Sequence, residues 1–587
     1  MEEKYTWNLK EIFEDESKLE WAIGELYSYI EELKKYKGTL ANGVDEVYGC
    51  YKALEKALEW HEKIYVYAMM KYHQNMANQE SIKLYKRVEK LTAEFSEAES
   101  FISPEMSKID DSKLESYLED PRMKEYEKII KDIIKSKKHI LTEDVEEVLA
   151  KYSEVFGAAE NIYDIFTNTE LEFKDIIDSE GNHHKMNAAL FSNYLMSKDE
   201  DIRRQAFDSM YEIYKKHINT ITEIYLTRVK QSTISSKLRK YESSLDAATD
   251  NDDSNVSVYK TLVSQMNKFL YLNHEYMDLK AKLLNKEKLN MYDVYVNTLD
   301  IVEKKIEYDE AKQTVLDGLK PLGEAYLDKL RFAFDNRWLD VYEKENKRGG
   351  AYSISIYGVH PFVLLNYINS SRDVSTIAHE LGHSMHSYYA NQNQNVINAN
   401  YTIMVAEVAS TVNEILLANY LINKELEPKK KAALINEQLD MIRATLVRQT
   451  MFAEFEEIVH SKVEEGESLN SESLNTIYYE LVKKYFGDRC IIDDNIKYEW
   501  ARIPHFYSCF YVYKYATGIT SAIVIASKIL AGEEGYVEKY INMLSQGGSK
   551  DSLTLLKMVD VDLEKEETYE KAFKYFEKNL EELKKLI

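Results

Sequence analysis

The chain has 587 residues, with 101 acidic side chains against 76 basic ones and a formal net charge of −25. That balance argues against a nucleic-acid partner, which needs clustered Lys and Arg to displace counterions. The length exceeds what one hydrophobic core fills, so two or more packed units, or one large helical body in lobes, are expected. Only 19 Gly and 6 Pro are present, which disfavours strand-rich folds built on Gly/Pro turns and favours long helices.

The start, MEEKYTWNLKEIF, has no basic segment followed by an apolar run, so no secretory signal is expected. No window approaches the ~18 to 20 uninterrupted apolar residues of a membrane span. Cys50, Cys490 and Cys509 are odd in number and lack CxxC spacing. A reduced, cytoplasmic protein without structural disulfides follows, with Cys509 packing as a small hydrophobe in its aromatic run. From about residue 16 to 196 apolar residues recur at helical spacing, as in ESKLEWAIGELYSYIEELKKY and SIKLYKRVEKLTAEFSEAESFI. His183 and His184 fall in the polar turn DSEGNHHK and are expected at the surface. SKDEDIRRQAF opens another long helix with Ser197 as the expected cap. The domain division is placed there: 1–196 as an N-terminal helical domain and 197–587 as the domain that carries the chemistry. No Gly/Ser-rich linker separates them, so they are expected to pack together. A polar break is expected over 238–257, helices again from about 258 to 335, and a packed amphipathic helix at the C-terminus.

One stretch departs from helical spacing. RGGAYSISIYGVHPFVLLNY (348–367) alternates through Tyr352–Tyr357, turns over Gly358–Pro361 and resumes as an apolar run, the pattern of a β-hairpin. Its free edge could pair with an extended peptide, which makes Gly350, Ala351 and Tyr352 candidate substrate-binding residues. The plain alternative is a hairpin that only braces the helices.

STIAHELGHSMHSYYA (375–390) follows and reads as a helix with Ser375 as its candidate cap. His379 and His383, four apart, share one face. In an HExxH arrangement two such imidazoles take two corners of a tetrahedral zinc site, and Glu380 can reach a metal-bound water. The motif alone leaves open two helix histidines without a metal. His386 lies about 10 Å further along the axis and is excluded as a third ligand. Gly382 beside the second histidine suggests a close approach by another chain segment. Zinc in a catalytic site needs a third protein ligand, and Glu407 stands out as the only charged residue between 400 and 413, among Ile403, Met404, Val405, Val408 and Val412. A carboxylate in apolar surroundings is costly unless paired or metal-bound. Glu414, one heptad on, ranks second, and Ser410 and Thr411 are candidate donors to Glu407.

HELGHSMH with VAEVAST about two dozen residues on, preceded by RGGAYS and HPFVLLNY, resembles the M3 metallopeptidases, in particular the oligoendopeptidase F branch. The likeness extends through RRQAF, KYESSLDAA and RIPHFYSCFYVYKYATG. It implies a mainly α, bilobed helical zincin enclosing a deep channel, with a small β-hairpin or sheet beside the HExxH helix. It implies one zinc per chain on His379, His383 and Glu407, Glu380 as the catalytic carboxylate, and oligopeptides as substrates cut at internal bonds by a zinc-activated water. Glu380 would take the water proton and pass it to the leaving amine. The same region of the family supplies a histidine and tyrosines to the site, here His505 and Tyr513 as transition-state donors and Tyr511 as a substrate contact. Neither a nucleic-acid nor a membrane partner is expected, and the oligomeric state is open. The alternatives are a zinc exopeptidase of a related HExxH+Glu family, or a helical peptide-binding protein with a vestigial site.

Overall fold

The computed structural model describes residues 2–299 and 305–587. Helices dominate, and residue contacts divide the chain into two compact units of interleaved segments. The first comprises Met1–Lys138, Glu303–Tyr420 and Ile525–Val561, the second His139–Val302, Leu421–Val524 and Asp562–Ile587. The expected seam at 196/197 therefore falls inside the second unit. The reason lies in what the N-terminal helices bury. Glu16–Lys34, Val44–Gln74 and Gln79–Glu99 close a shared core around Leu26, Ala57, Ile64, Val88 and Phe95. Trp7, Val66 and Met70 then pack on Ile356, Phe362 and Leu364 of the hairpin. The Trp7 indole N–H donates to the carbonyls of Trp338 and Val363, at 3.0 and 2.8 Å. The first 138 residues are thus part of the unit that holds the HExxH helix.

The hairpin is present and is part of a three-stranded sheet. Tyr352–Ile354 pairs antiparallel with Phe362–Tyr367, in the register Tyr352 to Leu364, Ser353 to Val363 and Ile354 to Phe362. On the other side of this central strand Leu339–Tyr342 adds in parallel. That third strand is a four-residue run directly behind a helix, too short for alternation to reveal. Tyr352–Ile354 and Leu339–Tyr342 are the two edges, with the buried central strand between them, and Tyr352–Ile354 is the edge strand beside the HExxH helix.

The HExxH helix runs Ser371–Asn393 and begins one turn earlier than expected. Its cap is Ser370, not Ser375. The Ser370 side chain accepts from the Asp373 N–H and the Asp373 carboxylate accepts from Ser370, a reciprocal capping box. The next long helix, Ile403–Lys424, carries Glu407 and Glu414. By length and composition it is apolar enough to cross a membrane, and 56% of its most apolar window is buried within the protein.

In the second unit a 39-residue helix, Glu200–Leu238, is capped by Asp199, while Ser197 accepts from the Asp199 N–H. The polar stretch 238–257, expected as a break, contains the helix Ser244–Asn251, capped by Ser243. The C-terminal helix Glu566–Leu586 buries Tyr569, Phe573, Phe576 and Leu580. His183–His184 forms a short outer strand against Ile176–Ile177, His184 bonded to Asp178 at 2.7 Å. Burial pushes the Cys509 thiol up to about 11, which suits packing and not nucleophilic chemistry.

Candidate metal centre

Among the described residues, His379, His383 and Glu407 form the group of metal-capable side chains whose donor atoms all lie within 4.8 Å of one another. The two imidazole Nε2 atoms are 3.2 Å apart, and the Glu407 Oε2 atom is 3.8 Å from one and 3.9 Å from the other. Two ligand atoms at tetrahedral corners about 2.1 Å from a zinc stand about 3.4 Å apart. The two-nitrogen, one-carboxylate set and its spacing therefore fit zinc, and the helix spacing of four residues produces the nitrogen pair directly.

The surrounding side chains orient these donors. Glu414 places Oε1 3.4 Å from His379 Nδ1, so it serves the far side of the first histidine instead of competing with Glu407. A carboxylate there accepts from Nδ1–H, so that in the neutral ring Nε2 is the nitrogen available to a metal. Burial pushes His379 down, but the Glu414 hydrogen bond and charge, with Glu380 and Glu407 adding, hold it up at about 9. His383 is pushed down to about 4 by burial and by the charge on His379. The Ser410 hydroxyl lies 3.0 Å from the Glu407 carbonyl and 3.5 Å from its Oε2. His386 is buried and stacks on Tyr401 at 3.6 Å, outside the donor group.

Glu380 is almost wholly buried, and burial, with Glu407 and Glu414 nearby, pushes its carboxyl up to about 7, while His379 and a backbone hydrogen bond from Ser353 oppose the shift. A carboxylate so placed is suited to proton transfer near neutral pH. Ser353 belongs to the edge strand, and a second link joins strand to helix. The Ser384 hydroxyl donates to the Glu380 carbonyl at 2.9 Å, so the Ser353 hydroxyl, 2.8 Å away, donates to Ser384. The edge strand is thereby pinned over Glu380. Gly350, at its entrance, has φ +81, and its carbonyl accepts from Asn366 at 2.7 Å. Ala351 is half-buried between them. The Tyr352 side chain is engaged elsewhere, its hydroxyl 2.9 Å from His73 Nδ1, so this residue can offer a peptide only its backbone.

Gly382 is where the two helices meet. A Cβ there would lie 2.6 Å from the Ala409 carbonyl oxygen and 2.6 Å from the Ser410 Cα. One turn away the Asn413 amide donates to the Ala378 carbonyl at 3.0 Å, and the Tyr326 hydroxyl meets Asn413 at 3.3 Å. Backbone contact on one side and a buried amide on the other set the helix register that brings Glu407 to the histidines.

The aromatic run of the second unit is built in pieces. It is not one helix. Pro504–Tyr507 is a short 3-10 turn, Phe510 adopts φ +59, and the long helix starts only at Tyr513. The Phe510 N–H donates to the buried carboxylate of Glu456 at 2.8 Å. This break turns Tyr513 inward, where it is fully buried, packs on Tyr259 and donates its hydroxyl to Asp252 at 3.0 Å. Tyr513 is therefore corrected from transition-state donor to packing residue. Tyr507 is likewise buried, stacked on Tyr163. His505 is exposed, with Tyr511 and Tyr515 centred 6.2 and 5.9 Å from its ring. Glu414 as a hydrogen-bond partner and Ser353 as the strand-to-glutamate link were not assigned from sequence. The charge of Glu414 one heptad past Glu407 was the only signal of the first, and nothing in the text signals the second.

Comparison with known proteins agrees with this geometry. Residues 193–575 match the family model of peptidase family M3, and 105–173 match that of oligopeptidase F. Oligopeptidase PepF of Bacillus subtilis is 38% identical over 99% of this chain and 87% of its own. Group B oligopeptidase PepB of Streptococcus agalactiae is 35% identical over 100% and 98%. Among solved structures, a putative peptidase from Chlamydophila abortus superposes with TM-score 0.95 at 32% identity, covering 100% of this chain and 99% of that one. Oligoendopeptidase-F of Enterococcus faecium superposes with TM-score 0.74 at 33% identity, over 97% and 98%. The chain belongs to peptidase family M3, in its oligopeptidase F branch.

Proposed function

We propose that this chain is a cytoplasmic zinc endopeptidase that hydrolyses internal bonds of short peptides, with His379, His383 and Glu407 holding one zinc. The observation that carries the reading is the convergence of these three donors beside a buried glutamate that an edge strand overlies. Bound there, zinc would polarise a scissile carbonyl and acidify a water. Glu380 accepts a proton from the attacking water and delivers it to the leaving amine, a role supported by its elevated pKa near 7. The edge strand Tyr352–Ile354 offers backbone donors and acceptors to an extended peptide, with Gly350 and Ala351 at its entrance. Main-chain pairing holds a peptide without reading its side chains, which fits broad sequence tolerance. His505 and Tyr511 are proposed as a transition-state donor and a substrate contact, supported by the exposure of His505 and the partial exposure of Tyr511 within one aromatic group. The division 1–196 and 197–587 is proposed as a seam between sequence modules, supported by the two family matches, and not between compact units.

The test combines metal content with end-blocked peptides. Purified protein is expected to carry one zinc per chain, to lose cleavage on chelation and to regain it with zinc. Internally quenched peptides acetylated and amidated at their ends are expected to be cut. If blocking either end abolishes cleavage, the endopeptidase reading fails and an exopeptidase replaces it.

A further inference from the structure

A cavity of about 430 Å³ lies within the second unit, lined in part by Tyr295, Asn436, Asp440 and three arginines, Arg443, Arg448 and Arg502. Two of the arginines reach it through a local departure from α-helical geometry. Arg443–Val447 forms a single π turn, closed by the Arg448 N–H on the Arg443 carbonyl. Residues five apart on an α-helix point about 140° away from each other. The wider turn brings them back into line, so both guanidinium groups line one cavity. Such turns are rare and recur at functional sites.

The charges around the cavity do not balance. Lys280, fully buried, donates to both oxygens of Asp440 at 3.0 and 2.9 Å, and Arg443 Nε donates to the same carboxylate at 3.3 Å. Glu499 accepts from Arg448 and Arg502 on one oxygen, each at 2.8 Å, and from the Tyr478 hydroxyl on the other at 2.7 Å. Among the described residues, four basic side chains thus face two carboxylates, and a third, Glu437, stands exposed at the rim. Positive charge is in excess whether or not Glu437 is counted, in a chain whose net charge is −25. Buried positive charge is unfavourable unless a counter-charge or water meets it. The guanidinium groups are also held in place: Arg443 lies over Tyr295 at 5.0 Å, Arg448 over Phe452 at 4.2 Å and Arg502 over Phe191 at 5.0 Å. Arginines fixed by ring contacts and carboxylates present the planar donor fork that fits a carboxylate. The charge of Arg448 also reaches His505 and, after burial, helps lower its pKa.

We propose that this arginine cavity is a carboxylate-binding pocket that accepts an acidic group of a peptide substrate, from an Asp or Glu side chain or from the C-terminus. The peptide occupant rests on the peptidase reading above; the anion site does not. Arg443→Gln leaves Asp440 with Lys280, and Arg448→Gln leaves Glu499 with Arg502, so both variants are expected to fold, as their melting curves will show. Two measurements decide the proposal. Acetate at constant ionic strength is expected to raise the melting temperature of the wild type and to lose that effect in both variants. Matched peptides carrying Glu or Gln, and peptides ending in an acid or an amide, are compared by kcat/KM. The wild type is expected to favour the acidic member of one pair by about tenfold, and the variants to reduce that ratio to within about twofold. The pair that responds identifies the side chain or the terminus as the source. An unchanged ratio in both variants, or no acetate effect on the wild type, overturns the proposal. An acetate effect with no peptide preference overturns the peptide occupant and leaves a free-anion site. Should no peptide be cleaved, the peptidase reading fails separately, and calorimetric binding of the same peptide pairs still decides the pocket.

Discussion

Glu380, next to His379 in the helix, and Glu414, 3.4 Å from His379 Nδ1, have separable proposed tasks. The task proposed for Glu380 is to move a proton, and Glu380→Gln keeps its size and its contact with the edge strand while removing that capacity. We expect kcat to fall about 10²- to 10⁴-fold with zinc content unchanged by metal analysis. Retained activity in this variant would remove Glu380 from the chemistry. Glu414 meets the trio at His379 Nδ1, 3.4 Å away, so its loss is expected to act on the metal. For Glu414→Gln zinc affinity is expected to drop about 10- to 100-fold, read by competition with a chelator, and added zinc should restore much of the activity. At this scale the sequence was most informative where chemistry is local. Four-residue spacing singled out the histidines and a lone charge among apolar neighbours singled out Glu407, and the structure brings their donor atoms within 4.8 Å of one another. Tyr513 was misjudged because its direction depends on Phe510 adopting φ +59. That conformation is held by a hydrogen bond to Glu456, 54 residues away, and no pattern in the aromatic run encodes it.

At the scale of elements, the site depends on two helices crossing at contact distance. Gly382→Ala tests this cleanly because two effects oppose each other. Helix propensity alone would make alanine the better residue by about 1 kcal/mol. The new Cβ would fall 2.6 Å from both the Ala409 oxygen and the Ser410 Cα, and neither is a flexible side-chain end that can yield. Overpacking of this kind costs about 1–3 kcal/mol, so packing wins. The variant is expected to melt at a lower temperature and to lose activity beyond that, since separating the helices moves Glu407 from the histidines. A melting temperature equal to or above wild type would show that the crossing can relax. The glycine was a legible signal, because a helix-weakening residue beside a candidate ligand needs a reason. The parallel strand Leu339–Tyr342 was not legible: four residues carry too little alternation, and its partner follows only after the hairpin.

Across the whole molecule, the sequence indicated helices and a body larger than one core, but not which segments share a unit. The division into interleaved stretches reflects contacts such as Trp7 to Trp338 and Val363, more than 300 residues apart, and helical periodicity carries no information about such pairings. The second unit instead shows its organisation through buried charge. Glu499 is nearly inaccessible, and burial alone would raise its pKa; Arg448 and Arg502, with the Tyr478 hydroxyl, outweigh that and hold it down to about 2. A carboxyl lowered on folding binds its proton more readily in the unfolded chain, so it adds stability above the unfolded value of about 4.5. That contribution fades as pH falls through the interval down to about 2. The shift corresponds to about 3 kcal/mol at neutral pH. Glu499→Gln removes the titrating charge and leaves both arginines in place. The variant should therefore melt well below wild type at pH 7, with the difference shrinking steadily between about pH 4.5 and 2. Comparing the two proteins at each pH cancels the general effect of discharging a chain with 101 acidic residues. A gap that stays constant down to pH 2 would mean that Glu499 acts through packing, and that the arginine pair is not what holds this part of the fold together.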